Sequence, residues 1–249
     1  MNPTDCIRLF QLQQHWLLRD DPLTTDTAAN IAVDTHLLRK LQPGQGIARL
    51  WENPRSLVIT RRETRLPRYS EACVTLAQAG WPVVVRDSGG TAVPHEPGVL
   101  HLSLIFTLPA DYRYDLDLVY QALCEPIKRA FSALGVESEF GNVPDAYCDG
   151  RYNLIVNGRK ITGTAQRLIP LSGGGHGVLA QAMINVTTDV ETGNERVNQF
   201  YALAGDPRHY RSDASTSLDR ELQPVPKALA QRLRDEILRA LSTLIKPLA

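Results

Sequence analysis

Cys148 and Lys160 stand twelve residues apart in the stretch "YCDGRYNLIVNGRKITGTAQR" (residues 147–167), with Asn157-Gly158 between them. A cysteine is a potential nucleophile, and a lysine ammonium can act on a neighbouring charge or carbonyl. Asn-Gly is the strongest short-range hairpin signal, because both residues of a type I′ turn need positive φ. A two-residue loop predicts that Val156 faces Arg159, Ile155 Lys160, Leu154 Ile161 and Asn153 Thr162. Strand alternation then puts Asn153, Ile155, Lys160 and Thr162 on one face and Tyr152, Leu154, Val156 and Ile161 on the other. Cys148 falls in the loop before the first strand, freed by Gly150. The bland reading is a solvated strand lysine and a small buried thiol. The spacing permits a reaction centre and leaves both readings open.

The elements that would carry these residues can be read from periodicity. Residues 25–41 space Ala28, Ile31, Ala32, His36 and Leu38 at helical intervals after a Thr/Asp start. "ARLWENPRSLVITRR" reads as two short strands around the Asn53-Pro54 turn, and residues 69–79 as a helix closed by Gly80. Val83 to Val85 and Val99 to Leu108 are apolar strands flanking a Gly-rich turn. Residues 115–134 form a helix that Pro126 kinks or splits. A strand "VESEF", the hairpin, a strand "GVLAQAMINV" and a helix "NERVNQFYAL" follow. Residues 227–245 close the chain as a helix with Leu229, Leu233, Ile237, Leu241 and Leu244 on one face. Strands in the middle with helices around them predict an α+β fold, a central mostly antiparallel or mixed sheet flanked by helices.

Composition narrows the function. The chain has 249 residues, 43% hydrophobic and 22% charged, which suits one sizeable domain with a real core. Lys plus Arg and Asp plus Glu number 27 each. A neutral chain with no basic run lacks the footprint of a nucleic-acid binder, so no nucleic-acid partner is expected. The N-terminus has no signal-peptide pattern, and no apolar stretch approaches the ~20 residues of a membrane span. No membrane association and a cytoplasmic location are the expectation. Cys6, Cys73, Cys124 and Cys148 are scattered with no CxxC pair, which argues against disulfides and against a metal site.

Three ordered motifs carry a family resemblance. "VVVRDSGGTAVPHEPGVLHLSLIF" (residues 83–106) resembles the Arg-x-Ser-Gly-Gly-x-Ala-Val signature of the biotin/lipoate ligase and transferase superfamily. "YNLIVNGRKITGTAQR" (152–167) is similar to its second, lysine-bearing hairpin signature. "LWENPRSLVITRR" and "NIAVDTHLL" resemble the strand and opening helix that precede them. The resemblance covers residues 25–190 and implies one catalytic domain over residues 1–249, with no accessory domain. It implies that Lys160 contacts an acyl carbonyl, and that Arg86, Ser88, Gly89 and Gly90 wall the acyl pocket with Thr91, His95, Asn153, Thr162 and Gly163. Glycines there would let backbone approach an acyl chain or phosphate closely.

Two chemistries divide this family. Its ligases make an acyl-adenylate with ATP and Mg2+ and need no cysteine. One transferase branch passes octanoyl groups through an enzyme cysteine, between the glycine-cleavage H protein and the lipoyl domains of 2-oxoacid dehydrogenase E2 subunits. "Tyr147-Cys148-Asp149-Gly150-Arg151-Tyr152-Asn153" resembles that cysteine's context, and Thr91, Glu96 and Asn153 depart from the ligase pattern. The resemblance therefore implies an octanoyl- or lipoyltransferase with Cys148 as nucleophile, needing no cofactor and acting on lipoyl carrier domains. The alternatives are an ATP-dependent lipoate ligase and a lipoyl-binding regulator without chemistry. A biotin ligase is disfavoured by the missing Gly-Arg-Gly-Arg-type loop. A free thiol is only ~3% ionised at pH 7, so Lys160 is expected to favour the thiolate, and Asp149 to oppose it unless turned away.

Other features have simpler readings. "SGGGHG" (172–177) lacks the lysine and helix of a phosphate loop and reads as a strand connection. His95, His101 and His176 could assist proton transfer, although structural roles are the simpler expectation. Cys73 and Cys124 read as core, and Cys6 as part of a loose end.

Overall fold

Two apolar ten-residue runs, Val99–Leu108 and His176–Asn185, are long enough to cross a sheet, and that sheet is the centre of the molecule. The structure is a computed structural model that describes residues 4–171 and 174–245. In chain order, the first helix and strands are α1 (Thr4–Gln11), β1 (His15–Asp20), α2 (Thr27–Lys40), β2 (Gln45–Trp51) and β3 (Ser56–Thr60). Next come α3 (Tyr69–Gln78), β4 (Val83–Arg86), β5 (Val93–His95), β6 (Val99–Leu108) and α4 (Leu116–Ala133). The chain then forms β7 (Glu139–Gly141), β8 (Asn153–Val156), β9 (Arg159–Pro170), β10 (His176–Asn185), α5 (Val190–Ala204) and α6 (Leu229–Leu244).

Seven strands form one sheet in the order β1-β2-β6-β10-β9-β8-β7, antiparallel except for the parallel β1–β2 pair. Three more form a small sheet, β4-β3-β5, with β3 and β4 parallel. The fold is therefore α+β with a large mixed sheet flanked by helices. Leu102, Leu104 and Phe106 of β6 and Ala180 and Ala182 of β10 pack with Ile127 and Phe131 of α4 and Leu233 and Ile237 of α6. α2 crosses the opposite face. All ten residues of β6 are buried, as expected of a strand covered on both sides. A second core joins the small sheet to α3 and α5 through Leu57, Val58, Ala72, Phe200 and Tyr201.

The structure departs from the sequence reading in several places. The two strands expected around the Asn53-Pro54 turn are present, and the turn carries the chain from β2 in the large sheet to β3 in the small one. Of the two outcomes expected at Pro126 the split does not occur: α4 is one helix through it, N-capped by Asp115 and packed on α6. In the hairpin, Val156 faces Arg159 and Ile155 faces Lys160, but a bulge then sets Leu154 opposite Thr162. The extra residue, Ile161, points into the main core with Leu154 and Val156. α1, β1 and β5 were not anticipated. Cys6 is 3% exposed in the main core rather than in a loose end. Cys124 is fully buried, while Cys73 is only half-buried. Ser172 and Gly173 of the "SGGGHG" stretch lie outside the described residues; Gly174 and Gly175 lead into β10.

Candidate active site

Cys148 sits in the loop between β7 and β8 with φ +49°, a left-handed conformation uncommon outside glycine. Its neighbours hold it there. The Cys148 backbone N–H donates to Thr91 Oγ1 at 2.9 Å. Its carbonyl accepts from Lys160 Nζ at 2.9 Å and from Asn153 Nδ2 at 3.2 Å. Lys160 Nζ also donates to the Tyr147 carbonyl at 2.6 Å and lies 4.8 Å from the centre of the Tyr147 ring. Two of the three ammonium donors are thus spent on the carbonyls of the nucleophile and of the residue before it, leaving one for a substrate.

Arg86 closes the other side. Its Nη2 donates to the carbonyls of Thr91 at 2.7 Å and Gly89 at 3.1 Å, and lies 4.0 Å from Cys148 Sγ. Gly90, at φ +104°, lies so close that a Cβ placed on it would be 2.5 Å from the sulfur. Burial pushes the Cys148 thiol up, but the charges of Lys160 and Arg86 and the Thr91 hydrogen bonds outweigh it, and the thiol ends below its ordinary value. Asp149 is turned away, its Oδ1 accepting from the backbone of Val143 at 3.0 Å and Gly150 at 2.8 Å. Lys160 is 1% exposed. Burial pulls its ammonium below the usual lysine range, against the pull of Cys148 and Asp149.

A cleft open to solvent starts at these groups. Arg86, Ser88, His95, Cys148, Lys160 and Gly163 line it. Gly163 leaves room for the lysine: a Cβ there would be 3.1 Å from Nζ. The other residues that the resemblance assigned to the wall stand behind it. Thr91 and Asn153 hold the Cys148 backbone, Gly90 packs on the sulfur, and Gly89 accepts from Arg86. Thr162 is fully buried, its Oγ1 without a partner among the described residues. A hairpin face read from a regular ladder could not foresee this, because the bulge interrupts the alternation. His176 opens β10 and is not among the cleft residues.

The remaining walls include the apolar Ile31, Val58, Val93 and Met183, the rings of Trp51 and His101, and the polar Thr164 and Gln181. Sequence reading missed most of these; the signal was the alternation of Gln181 and Met183 on β10, usable only once its register against β9 was known.

The protonation of His95 follows from a buried relay. Arg49, 1% exposed, is paired with Asp34 at 2.8 Å and Asp21 at 2.6 Å. Its Nη2 donates to Asn30 Oδ1, Asn30 Nδ2 donates to Asn53 Oδ1 at 2.8 Å, and Asn53 Nδ2 meets His95 Nδ1 at 2.8 Å. A guanidinium can only donate, so it orients both amides and leaves His95 Nδ1 as an acceptor. Burial holds the ring neutral, well below its usual value, with His101 and Arg86 adding to the effect. The His95 proton therefore sits on Nε2.

The family model described as the lipoyl protein ligase A/B catalytic domain matches residues 26–241. An octanoyl-GcvH:protein N-octanoyltransferase of Kyrpidia tusciae is 39% identical over 175 residues, covering 68% of this chain and 60% of that protein. The enzyme of the same name from Geobacillus kaustophilus is 31% identical, covering 72% of this chain and 62% of its own length. The chain thus aligns with somewhat under two thirds of each of these two relatives. An uncharacterised protein of Cupriavidus necator is 39% identical, with 76% of both chains covered. Among solved structures, a lipoate-protein ligase A bound with ATP superposes with TM-score 0.71 at 18% identity, over 94% of this chain and 88% of its own. At that identity the likeness shows a common fold.

Proposed function

Because the chain belongs to the lipoyl protein ligase A/B catalytic family, we propose that it is an acyltransferase that moves an octanoyl or lipoyl group onto the acceptor lysine of a lipoyl carrier domain. The observation that carries this reading is Cys148, a thiol held below its ordinary value by Lys160 and Arg86 in the wall of a largely apolar cleft. The relatives named as octanoyl-GcvH:protein transferases support it.

The Cys148 thiolate attacks the carbonyl carbon of the donor acyl group while the third Lys160 N–H receives the developing oxyanion. The bond to the donor's nitrogen or sulfur breaks, the leaving group takes a proton, and an acyl thioester remains on Cys148. The neutral amine of the acceptor lysine then attacks this thioester, loses a proton, forms an amide and releases the thiolate. Transfer from a thioester to an amide is downhill; transfer between two amides is nearly balanced and reversible. Either route proceeds without ATP. The carriers we infer are the glycine-cleavage H protein and the lipoyl domains of 2-oxoacid dehydrogenase E2 subunits. We place the reaction in the cytoplasm, where thiols are kept reduced. Among the described residues, no helix is long and apolar enough to cross a membrane.

The test is incubation with octanoyl-loaded H protein and no nucleotide. The expected product is one octanoyl mass on Cys148, removed by hydroxylamine and lost in Cys148→Ala. Full activity in Cys148→Ala, with pyrophosphate released from ATP and lipoate, would make the protein a ligase. Acyl binding with no acceptor labelling under either condition would make it a lipoyl-binding regulator.

A further inference from the structure

The peptide group between Thr91 and Ala92 is bonded at both ends. Its carbonyl, on Thr91, accepts from Arg86 Nη2 at 2.7 Å. Its N–H, on Ala92, donates to the Tyr201 hydroxyl of α5 at 3.0 Å. Arg86 and Thr91 are also the residues this segment lends to the nucleophile. The guanidinium lies 4.0 Å from Cys148 Sγ, and Thr91 Oγ1 accepts the Cys148 N–H at 2.9 Å. One peptide plane thus ties the surroundings of the thiol to a tyrosine that does not line the cleft.

Tyr201 is itself fixed from behind. Its hydroxyl donates to Glu63 Oε1 at 2.9 Å and accepts from Arg208 Nη1 at 3.2 Å. Glu63 Oε2 accepts the N–H and the hydroxyl of Thr60, at 2.6 and 2.7 Å, where β3 ends. Ala92, Tyr201 and Glu63 are all buried. The direction of each bond is forced, because a carboxylate only accepts and a guanidinium only donates. The tyrosine proton therefore points to Glu63, and its lone pairs receive Ala92 and Arg208. Burial pushes the Tyr201 hydroxyl up, so it stays protonated. Each bond polarises the next: Glu63 makes Tyr201 a better acceptor, and the bonded Ala92 N–H strengthens the Thr91 carbonyl that holds Arg86. A phenylalanine would fill the same space between Phe200 and Tyr210, but would leave the Ala92 N–H buried without this partner.

We propose that Tyr201 is a positioning residue of the transfer site: held by Glu63, its hydroxyl fixes the Thr91–Ala92 peptide and, through it, the placement of Arg86 and Thr91 on Cys148. The inference rests on the acyltransferase reading, which makes Cys148 the nucleophile. The cations acting on the sulfur are Lys160 of β9 and Arg86 of β4, with Asp149 turned away. The nearby phenols of Tyr120 and Tyr147 are pushed up by burial and stay neutral. Of the two cations, Arg86 is the one this peptide holds. Losing the Tyr201 hydroxyl therefore removes part of the effect on the thiol and leaves that of Lys160.

The test compares Tyr201→Phe with Val197→Ala, which opens a cavity in the same helix and core but keeps the bond to Ala92. One readout is the pH of half-maximal alkylation of Cys148 by iodoacetamide; the other is acylation by octanoyl-loaded H protein. In Tyr201→Phe the alkylation midpoint should rise by about half a unit, and kcat should fall about tenfold with KM within about twofold of wild type. Val197→Ala should lower the urea midpoint and leave both readouts at their wild-type values. An unmoved alkylation midpoint in Tyr201→Phe, or an equal rise in Val197→Ala, would overturn the proposal. Should Tyr201→Phe fail to fold, Glu63→Gln decides. The two Thr60 donors claim its amide oxygen, so its NH2 faces Tyr201 and competes with Ala92 for the hydroxyl. The midpoint should rise again, and an unchanged one overturns the idea. Alkylation needs no acyl group, so a wild-type protein that forms no acyl-Cys148 would sink the transferase reading while the alkylation midpoints still judged Tyr201.

Discussion

At Cys148 a non-glycine residue is held in the left-handed region, an arrangement that costs of order 1–3 kcal/mol and persists only when its surroundings impose it. Here the imposing groups are Thr91, Asn153 and Lys160, each bonded to the Cys148 backbone. Lys160 therefore has two effects, fixing the loop and lowering the thiol. Because Lys160 and Arg86 lower the thiol, half-maximal alkylation of Cys148 by iodoacetamide should fall at a lower pH than for an ordinary cysteine. Lys160→Met should move that midpoint upward and slow acylation by at least tenfold. A midpoint unchanged in Lys160→Met would mean that the charge is not what activates the sulfur. Gly90→Ala should be nearly as damaging, since the new methyl would occupy the place of the sulfur at a strained φ. Mass spectrometry of the acyl-enzyme reads both variants.

At the scale of elements, the β8–β9 hairpin shows why two positive-φ glycines differ in consequence. Gly158 at φ +73° has nothing within 4 Å of its Cβ position, whereas Gly90 faces the thiol. Gly158→Ala should cost about 1 kcal/mol in a urea melt through backbone strain alone, with the acylation rate unchanged. A loss of acylation out of proportion to stability would mean that the turn shapes the site directly. The bulge beyond Ile155 is the second device of this hairpin. It sends Ile161 into the core while Lys160 stays under the Cys148 loop, so a regular ladder read from the sequence misplaces Thr162 by one step.

Over the whole molecule, burying two imidazoles beside an Arg49–Asp34 pair sets how stability depends on pH. His101 lies at about 3 in the native state and near 6.5 when unfolded, so the unfolded chain binds the extra proton first as pH falls. Stability should therefore drop between pH 6.5 and 3, by about 2 kcal/mol at pH 5 from His101 alone. His95 acts in the same direction. Asp34, raised by its burial against the pull of Arg49, works oppositely above 3.8. The difference in urea midpoints between wild type and His101→Gln across this range isolates the His101 share. Parallel curves would show that His101 is charged or solvated in the native state.

Local order in the chain was enough for much of this. Periodicity located α2, α3, α4, α5, α6 and the strands β4, β6 and β10 to within a few residues, because each buries a face whose spacing follows its own backbone geometry. Asn157-Gly158 announced the hairpin, and the motif residues of the Gly-rich turn and the hairpin marked Cys148, Lys160, Arg86, Ser88, His95 and Gly163, which share one cleft. Tertiary structure alone decided what lies between strands. The Asn53-Pro54 turn passes from one sheet to the other, a bulge shifts the hairpin, and Gly163, Met183, His101 and Trp51 align only through the pairing of four strands distant in sequence. The physical reason is that alternation says which way a side chain faces, whereas register, which a single strand does not contain, says what it faces.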